Sequence, residues 1–318
     1  MTRRRPTWPE LPDGVRRLVE ARLGRPVVAW ASHDSGYSPG PALTLTAADG
    51  ERLFVEAADG AVNPDALRFH RREAVIAGSL PAAVPTPRLR WVEEAVLPGE
   101  DGQGDVPWVV LAFDVVDGRH PRVPWVRADV DAVARVFTRL AGVTAPAGLP
   151  ALADRTGFDG WRELAGGTRD AAGLATYDPW VTANLERLAV LEAGWPAAVA
   201  GETLLHHDVR GDNVLLTRDG EAVLVDWPHA ARGAAFCDLL GWLPALRLEG
   251  GPAPEDVLAD HPLARAADPD AVTAFGVALA GYFVASSLEP PPPGIPHLRA
   301  FQRAQGQVCV AWLAGRLR

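Results

Sequence analysis

The chain has 318 residues, enough for one large domain or two lobes each with a core, and 48% of it is apolar against 22% charged, the balance of a globular protein in water. Its net charge of −9 argues against nucleic acid as a partner and gives small cationic ligands a weak preference. All 31 basic residues are arginine, which excludes chemistry that needs a lysine amine.

The opening "MTRRRPTWPE" carries three arginines but no apolar h-region follows, so neither a secretory nor a twin-arginine signal is expected. No apolar run looks long enough to cross a bilayer, no membrane partner is expected, and a cytoplasmic location follows as the default. "RPVVAW" and "ALTLTAADGERLFVEAA" are apolar, β-branched runs; the second turns at Ala48-Asp49-Gly50, a hairpin signal. "NPDALRFHRREAVIAGSL" offers Asn63 as a cap, Pro64 in the first turn and helical spacing through Leu67, Ala74, Val75 and Leu80, so one helix is expected to end near Pro81. "VPTPRLRWVEE" and "PWVVLAFDVVDG" read as strands separated by the loop "PGEDGQGDVP". Beyond Gly118, five segments show helical periodicity: "DVDAVARVFTRLAGV", "DPWVTANLERLAVLEAGW", "FCDLLGWLPALRL", "PDAVTAFGVALAGYFVASSL" and "HLRAFQRAQGQVCVAWLAGRL". The expectation is an α+β chain: an N-terminal lobe, residues 1–118, of antiparallel sheet with one helix, and a mostly helical lobe, 119–318. Glu289–Pro296 is a proline-rich connector, and Cys237 and Cys309 are expected as core thiols.

The chemistry-bearing stretch is "LLHHDVRGDNVLL", Leu204–Leu216. After Asn213, two apolar runs meet at Arg218-Asp219-Gly220, a hairpin signal that returns the chain toward Asn213 and ends at Asp226. Asp208, Asn213 and Asp226 thereby converge. Two of these oxygen-bearing side chains, with waters and phosphate oxygens, suit Mg²⁺, a hard ion content with few protein ligands, and the third is left to meet a hydroxyl. Zinc held by His206, His207 and Asp208 is a lesser alternative, with His229 the only nearby fourth ligand.

The spacing from His206 through Asp208 to Asn213 fits the kinase catalytic-loop pattern H-x-D-x-x-x-x-N, with Asp226 at the following DFG-type aspartate. On these residues the chain resembles the aminoglycoside phosphotransferase family of kinase-like small-molecule kinases. The likeness extends to "SHDSGYSPGPALTL" as the nucleotide-covering loop, "HRREAVIAGSLP" as the helix with an acidic partner, "LAFDVVDGRHP" as the hinge and "GAAFCDLLGW" as the helix that steadies the catalytic loop. The resemblance implies a bilobal protein-kinase-like fold that uses ATP or GTP with Mg²⁺ to phosphorylate a small hydroxylated molecule, an aminoglycoside-like antibiotic being one candidate. Asp208 would orient or deprotonate the acceptor hydroxyl, Asn213 and Asp226 would hold the metal, and His206 and Asp238 would support the loop. Gly36, Ser38, Glu56, Glu73, Phe113 and Val115 fall at nucleotide-binding positions, and Asp159, Glu163 and Asp178 are expected to receive a cationic acceptor.

One position departs from the pattern. Glu56 stands where the family's phosphate-clamping lysine is expected, opposite Glu73. Two like charges about 4 Å apart at an effective dielectric of about 20 repel by roughly 4 kcal/mol. Three outcomes stay open: Arg52, Arg71 or Arg72 fills the place; the strand register is shifted by one; or the chain is a kinase-like binding protein that has lost catalysis.

Overall fold

The computed structural model describes residues 5–33, 40–99, 104–155, 157–292 and 296–318. The expected nucleotide-covering loop, with Gly36 and Ser38, lies outside them. By internal contacts the chain divides into two compact units: Met1–Arg119 with Thr217–Asp219 and Val223–Pro228, and His120–Leu216 with Gly220–Ala222 and His229–Arg318. Asp226 therefore belongs with the N-terminal unit, in a six-residue segment flanked by stretches of the second.

The first unit is built on a five-stranded sheet. Its elements are α1 (Asp13–Leu23), β1 (Val27–Ser32), β2 (Ala42–Ala47), β3 (Arg52–Asp59), α2 (Pro64–Ser79), β4 (Leu89–Pro98), β5 (Asp105–Asp114) and the short β6 (Gly118–Arg119). The sheet order is β1-β2-β3-β5-β4, and every pairing is antiparallel. The period of two in β3 decides what each face carries: Leu53, Val55 and Ala57 join a core with Val15, Val19 and Leu23 of α1, while Ala58 and Phe54 face Ala66, Leu67 and Ala74 of α2. Glu56 therefore shares the α2 side of the strand. Helix α2 starts where Asn63 accepts bonds from Asp65 N and Ala66 N, with Pro64 in its first turn.

Helix α1 is an addition to the expected elements. Its apolar residues at Val15, Val19 and Leu23 are buried, and each contributes about 1.5–3 kcal/mol by leaving water. Three arginines among them, Arg16, Arg17 and Arg22, obscure the stripe in the sequence.

The second unit is mostly helical: α3 (Arg127–Leu140), α4 (Gly160–Ala165), α5 (Pro179–Ala183), α6 (Leu185–Glu192), α7 (Trp195–Ala198), α8 (Cys237–Leu248), α9 (Pro254–Asp260), α10 (Pro262–Ala266), α11 (Pro269–Ser287) and α12 (Leu298–Arg316). The one helix expected across "DPWVTANLERLAVLEAGW" is three, interrupted at Asn184 and Gly194. Strands β7 (Thr203–Leu205), β8 (Val214–Thr217), β9 (Ala222–Leu224) and β10 (Ala231–Gly233) complete the chain. The turn between β8 and β9 has Gly220 at φ 78°, a left-handed conformation that glycine adopts without a Cβ clash.

Helix α11 corrects the expectation that no apolar run could cross a bilayer. Among the described residues it is the one helix long and apolar enough, with mean hydropathy 1.3, yet 61% of it is buried inside the protein. It packs against α12, α4, α6, α7 and α8, so its apolar residues serve as core. Cys237 and Cys309 are buried free thiols.

Candidate active site

In the second unit, β7 anchors the motif. Leu204 and Leu205 are fully buried, and Leu205 lies opposite Ala231 of β10. The next residue, His206, is also inaccessible. Its backbone N–H and that of His207 donate to Asp238 Oδ2 and Oδ1 at 2.7 and 2.9 Å. Asp238 sits in the first turn of α8, so one carboxylate holds two consecutive amides and directs the turn. His207 then takes φ 62°, a left-handed conformation uncommon for a non-glycine residue and kept only where its surroundings enforce it. Asp208 N donates to His206 Nδ1 at 3.3 Å.

Asn213 closes the loop. It ends the short 3₁₀ turn Gly211–Asn213 and is 3% exposed. Its Nδ2 donates to the Asp208 carbonyl at 2.8 Å and to Asp208 Oδ2 at 3.1 Å. With the amide nitrogen so used, Asn213 keeps its carbonyl oxygen as the atom available to a hard cation. Arg210 reaches Asp212 through Nε and Nη2 at 3.0 and 3.1 Å and places Nη1 3.3 Å from Asp208 Oδ1.

Burial pushes the Asp208 carboxyl up to about 6; Arg210 opposes the rise, Asp212 adds to it, and Asn213 opposes it. Burial likewise lifts Asp238 to about 6 against the two amides that favour its charge. His207 moves the other way, to about 3, because burial first and then Arg155, His229 and His206 disfavour its cation. It is a neutral ring at physiological pH, 5.8 Å between centroids from Phe158.

The first unit holds a different cluster. Glu73, on α2, is 5% exposed and accepts from Trp227 N at 3.4 Å. Its carboxyl is held well above the usual range by burial, then by the charges of Asp226 and Glu56. The strand register thus does direct Glu56 toward Glu73, and a third carboxylate joins them. Asp226 has φ 67°, which a short polar side chain tolerates better than most. Trp227 is buried and donates to Thr86 Oγ1 at 3.0 Å.

None of the arginines considered as substitutes is seen at Glu73. Arg52 pairs with Asp117 at 2.9 Å and Arg71 with Glu94 at 2.7 Å, while Arg72 makes no ion pair among the described residues. Phe113 is 6% exposed in the apolar cluster under α2, and Val115 follows the end of β5, half-buried. Asp159 pairs with Arg162, Glu163 with Arg169 at 2.7 Å, and Asp178 caps α5 through Trp180 N at 2.8 Å. Among the described residues no group of three or more His, Cys, Asp or Glu is placed to hold a metal.

The sequence reading passes over Arg210, Tyr282, Arg155 and Glu192. Arg210 lies inside the motif and its two-residue spacing from Asp208 and Asp212 was a usable signal. Tyr282 and Arg155 come within electrostatic reach of Asp208 from distant segments, and nothing local announces them. Glu192 is fully buried, accepts from Trp161 N and Arg162 N at 3.0 and 2.9 Å, and is raised to about 7 by burial, opposed by those amides and by Arg162.

Residues 32–275 match the phosphotransferase enzyme family. No curated protein matches the chain. Among solved structures it is similar to a thermostable mutant of aminoglycoside phosphotransferase APH(4)-Ia in ternary complex with ADP and hygromycin B, at 16% identity and TM-score 0.57 over 95% of this chain and 98% of that one. It is also similar to spectinomycin phosphotransferase APH(9)-Ia in complex with ADP and spectinomycin, at 11% identity and TM-score 0.55 over 97% and 99%. Amicoumacin kinase hAmiN in complex with AMP-PNP, Ca²⁺ and Ami is a third, at 10% identity and TM-score 0.53 over 94% and 95%. At these identities the likeness is one of fold, which is α+β and kinase-like.

Proposed function

The chain belongs to the phosphotransferase enzyme family, and from that membership we propose that it moves the γ-phosphoryl group of ATP or GTP to a hydroxyl of a small molecule. The observation that carries the reading is Asp208. Its carboxyl is raised to about 6, still ionised at neutral pH but more basic than an ordinary aspartate, which improves it as acceptor of a hydroxyl proton. Asn213 and Arg210 fix its two oxygens, so the proton is received at a positioned atom, and the hydroxyl is oriented before transfer.

Mg²⁺ is the metal that family membership implies, and Asn213 and Asp226, each taken within its own unit, are the residues that would hold it. The donor chemistry fits: an amide oxygen whose partner nitrogen is already engaged, and a carboxylate, are both hard ligands. When bound, the ion neutralises charge on the phosphates. His206 and Asp238 have the supporting role of holding the loop, and the nucleotide is proposed to contact the first unit near Glu56, Glu73, Phe113 and Val115, with Gly36 and Ser38.

A second reading, a kinase-like binding protein without transfer activity, is favoured by the Glu56, Glu73 and Asp226 cluster. Three neighbouring carboxyls, with Glu73 held toward its neutral form by burial and by the other two, take the place where triphosphate would need a cation. The two readings separate in one comparison. Wild type and Glu56→Lys are melted with and without Mg·ATP and Mg·GTP, and nucleotide turnover is compared between wild type and Asp208→Ala. Turnover that disappears in Asp208→Ala supports transfer; a wild type that gains no stability from nucleotide while Glu56→Lys does supports the binding protein.

A further inference from the structure

The ion pairs around Asp208 bear on the acceptor. Its Oδ1 faces Arg210, and the same guanidinium grips Asp212. Tyr282, whose hydroxyl senses the charge of Asp208, hydrogen-bonds Gln302. Gln302 Oε1 accepts from Arg299 Nη1 at 2.9 Å, and Arg299 Nη2 donates to Glu289 at 2.7 Å. Glu289 also pairs with Arg169, which holds Glu163 at 2.7 Å. A polar chain therefore runs from Tyr282 on α11 through α12 to α4; it adjoins the Asp208 loop through Phe158, whose ring lies 5.8 Å from His207 and 5.4 Å from Tyr282, and each carboxylate named in the loop and the chain faces an arginine. Asp159, the other acid in that neighbourhood, is paired with Arg162.

These pairs are made by confined guanidinium groups: the side chains of Arg169, Arg210 and Arg299 are 24%, 19% and 18% exposed. A polycationic ligand must meet carboxylates able to turn toward it; where each already holds an arginine, the ligand has to displace a tethered competitor and leave it unpaired beside its own charges. Aromatic rings adjoin these pairs. Tyr282 stacks on Phe158 with centroids 5.4 Å apart and planes at 25°, and the Arg210 guanidinium lies 5.9 Å over the Phe301 ring.

We propose that the acceptor received beside Asp208 is an uncharged hydroxylated compound and that this surface rejects polycationic aminoglycosides, a refinement that rests on the phosphotransferase reading. The neutralising arginines, rather than a lack of acids, set this preference.

Calorimetric titration of the full chain with kanamycin and with hygromycin B at low ionic strength tests it. Wild type should bind each more weakly than about 1 mM, and the double variant Arg169→Gln/Arg299→Gln, which releases Glu163 and Glu289, should bind at least about tenfold more tightly. The variant Arg162→Gln, which releases Asp159 and leaves the buried Glu192 on the backbone amides of residues 161 and 162, should gain about threefold and covers the case in which the double variant does not fold. Micromolar binding by wild type, or no gain in any folded variant, overturns the proposal. Nucleotide turnover is followed separately; its absence together with the expected binding pattern refutes the transferase reading and leaves the charge argument standing.

Discussion

Replacing Asp208 with Asn should make the protein more stable while removing its proposed activity. In the folded chain this carboxyl lies at about 6 against an ordinary 3.8, chiefly because of burial. A group whose folded value is raised binds its proton more tightly in the native state, so its ionisation works against the fold: stability is greatest below pH about 4, falls as pH rises, and levels off above pH about 6. The full difference corresponds to ~3 kcal/mol at pH 8. Asn keeps an oxygen to accept from Asn213, and the pairing of the charged form with Arg210 is already contained in that difference. The expectation is a gain of about 3 kcal/mol at pH 8 that vanishes near pH 4. Urea denaturation of both proteins at the two pH values measures it, with nucleotide turnover assayed alongside. A variant that is equally or less stable at pH 8, or whose gain is the same at both pH values, refutes the account of Asp208 as a carboxylate kept charged against its surroundings.

Asp238→Ala leaves the N–H groups of His206 and His207 without their acceptor; with a buried unsatisfied donor costing about 1–3 kcal/mol, a loss of about 2–4 kcal/mol in urea denaturation is expected, and a loss below 1 kcal/mol would contradict it. Glu192→Ala strands the amides of Trp161 and Arg162 in the same way, and a loss of about 2–3 kcal/mol is expected, read from the same transition. At Gly160 an added methyl would overlap the carbonyl of Gly281 where α4 meets α11. Gly160→Ala should therefore lower Tm by several degrees, since overpacking costs about 1–3 kcal/mol; an unchanged Tm would show that the two helices separate freely. If Asp208 accepts the acceptor's proton, the rate at limiting acceptor should rise with pH through about 6 and then level, as its carboxyl ionises; a profile flat between pH 5 and 8 argues against that role.

Much of this protein is legible in the order of its residues because the signals are local. Periods of two and of 3.6, Asn63 and Pro64 at the start of a helix, and Gly50 and Gly220 in turns act over a few residues, and they place the sheet, α2 and most long helices. The distance from His206 through Asp208 to Asn213 is likewise a property of one short loop, so the motif identifies the family without any tertiary contact. Helix α1 was hidden because its three buried residues stand among arginines, and α11 could be told from a membrane span only by what covers it.

Other properties arise where distant segments meet. Glu56 opposite Glu73 could be suspected from strand register, but that Asp226 joins them depends on a segment more than a hundred residues away packing into the first unit. The basicity of Asp208 comes from burial, which no spacing specifies. Asp159, Glu163 and Asp178 read as acids awaiting a cation because sequence records charge and not partner; folding supplies Arg162, Arg169 and the Trp180 amide. Local sequence therefore determined the elements and the spacing from His206 to Asn213, while the charge that motif experiences was decided by long-range packing, because electrostatic environment depends on what surrounds a group in space.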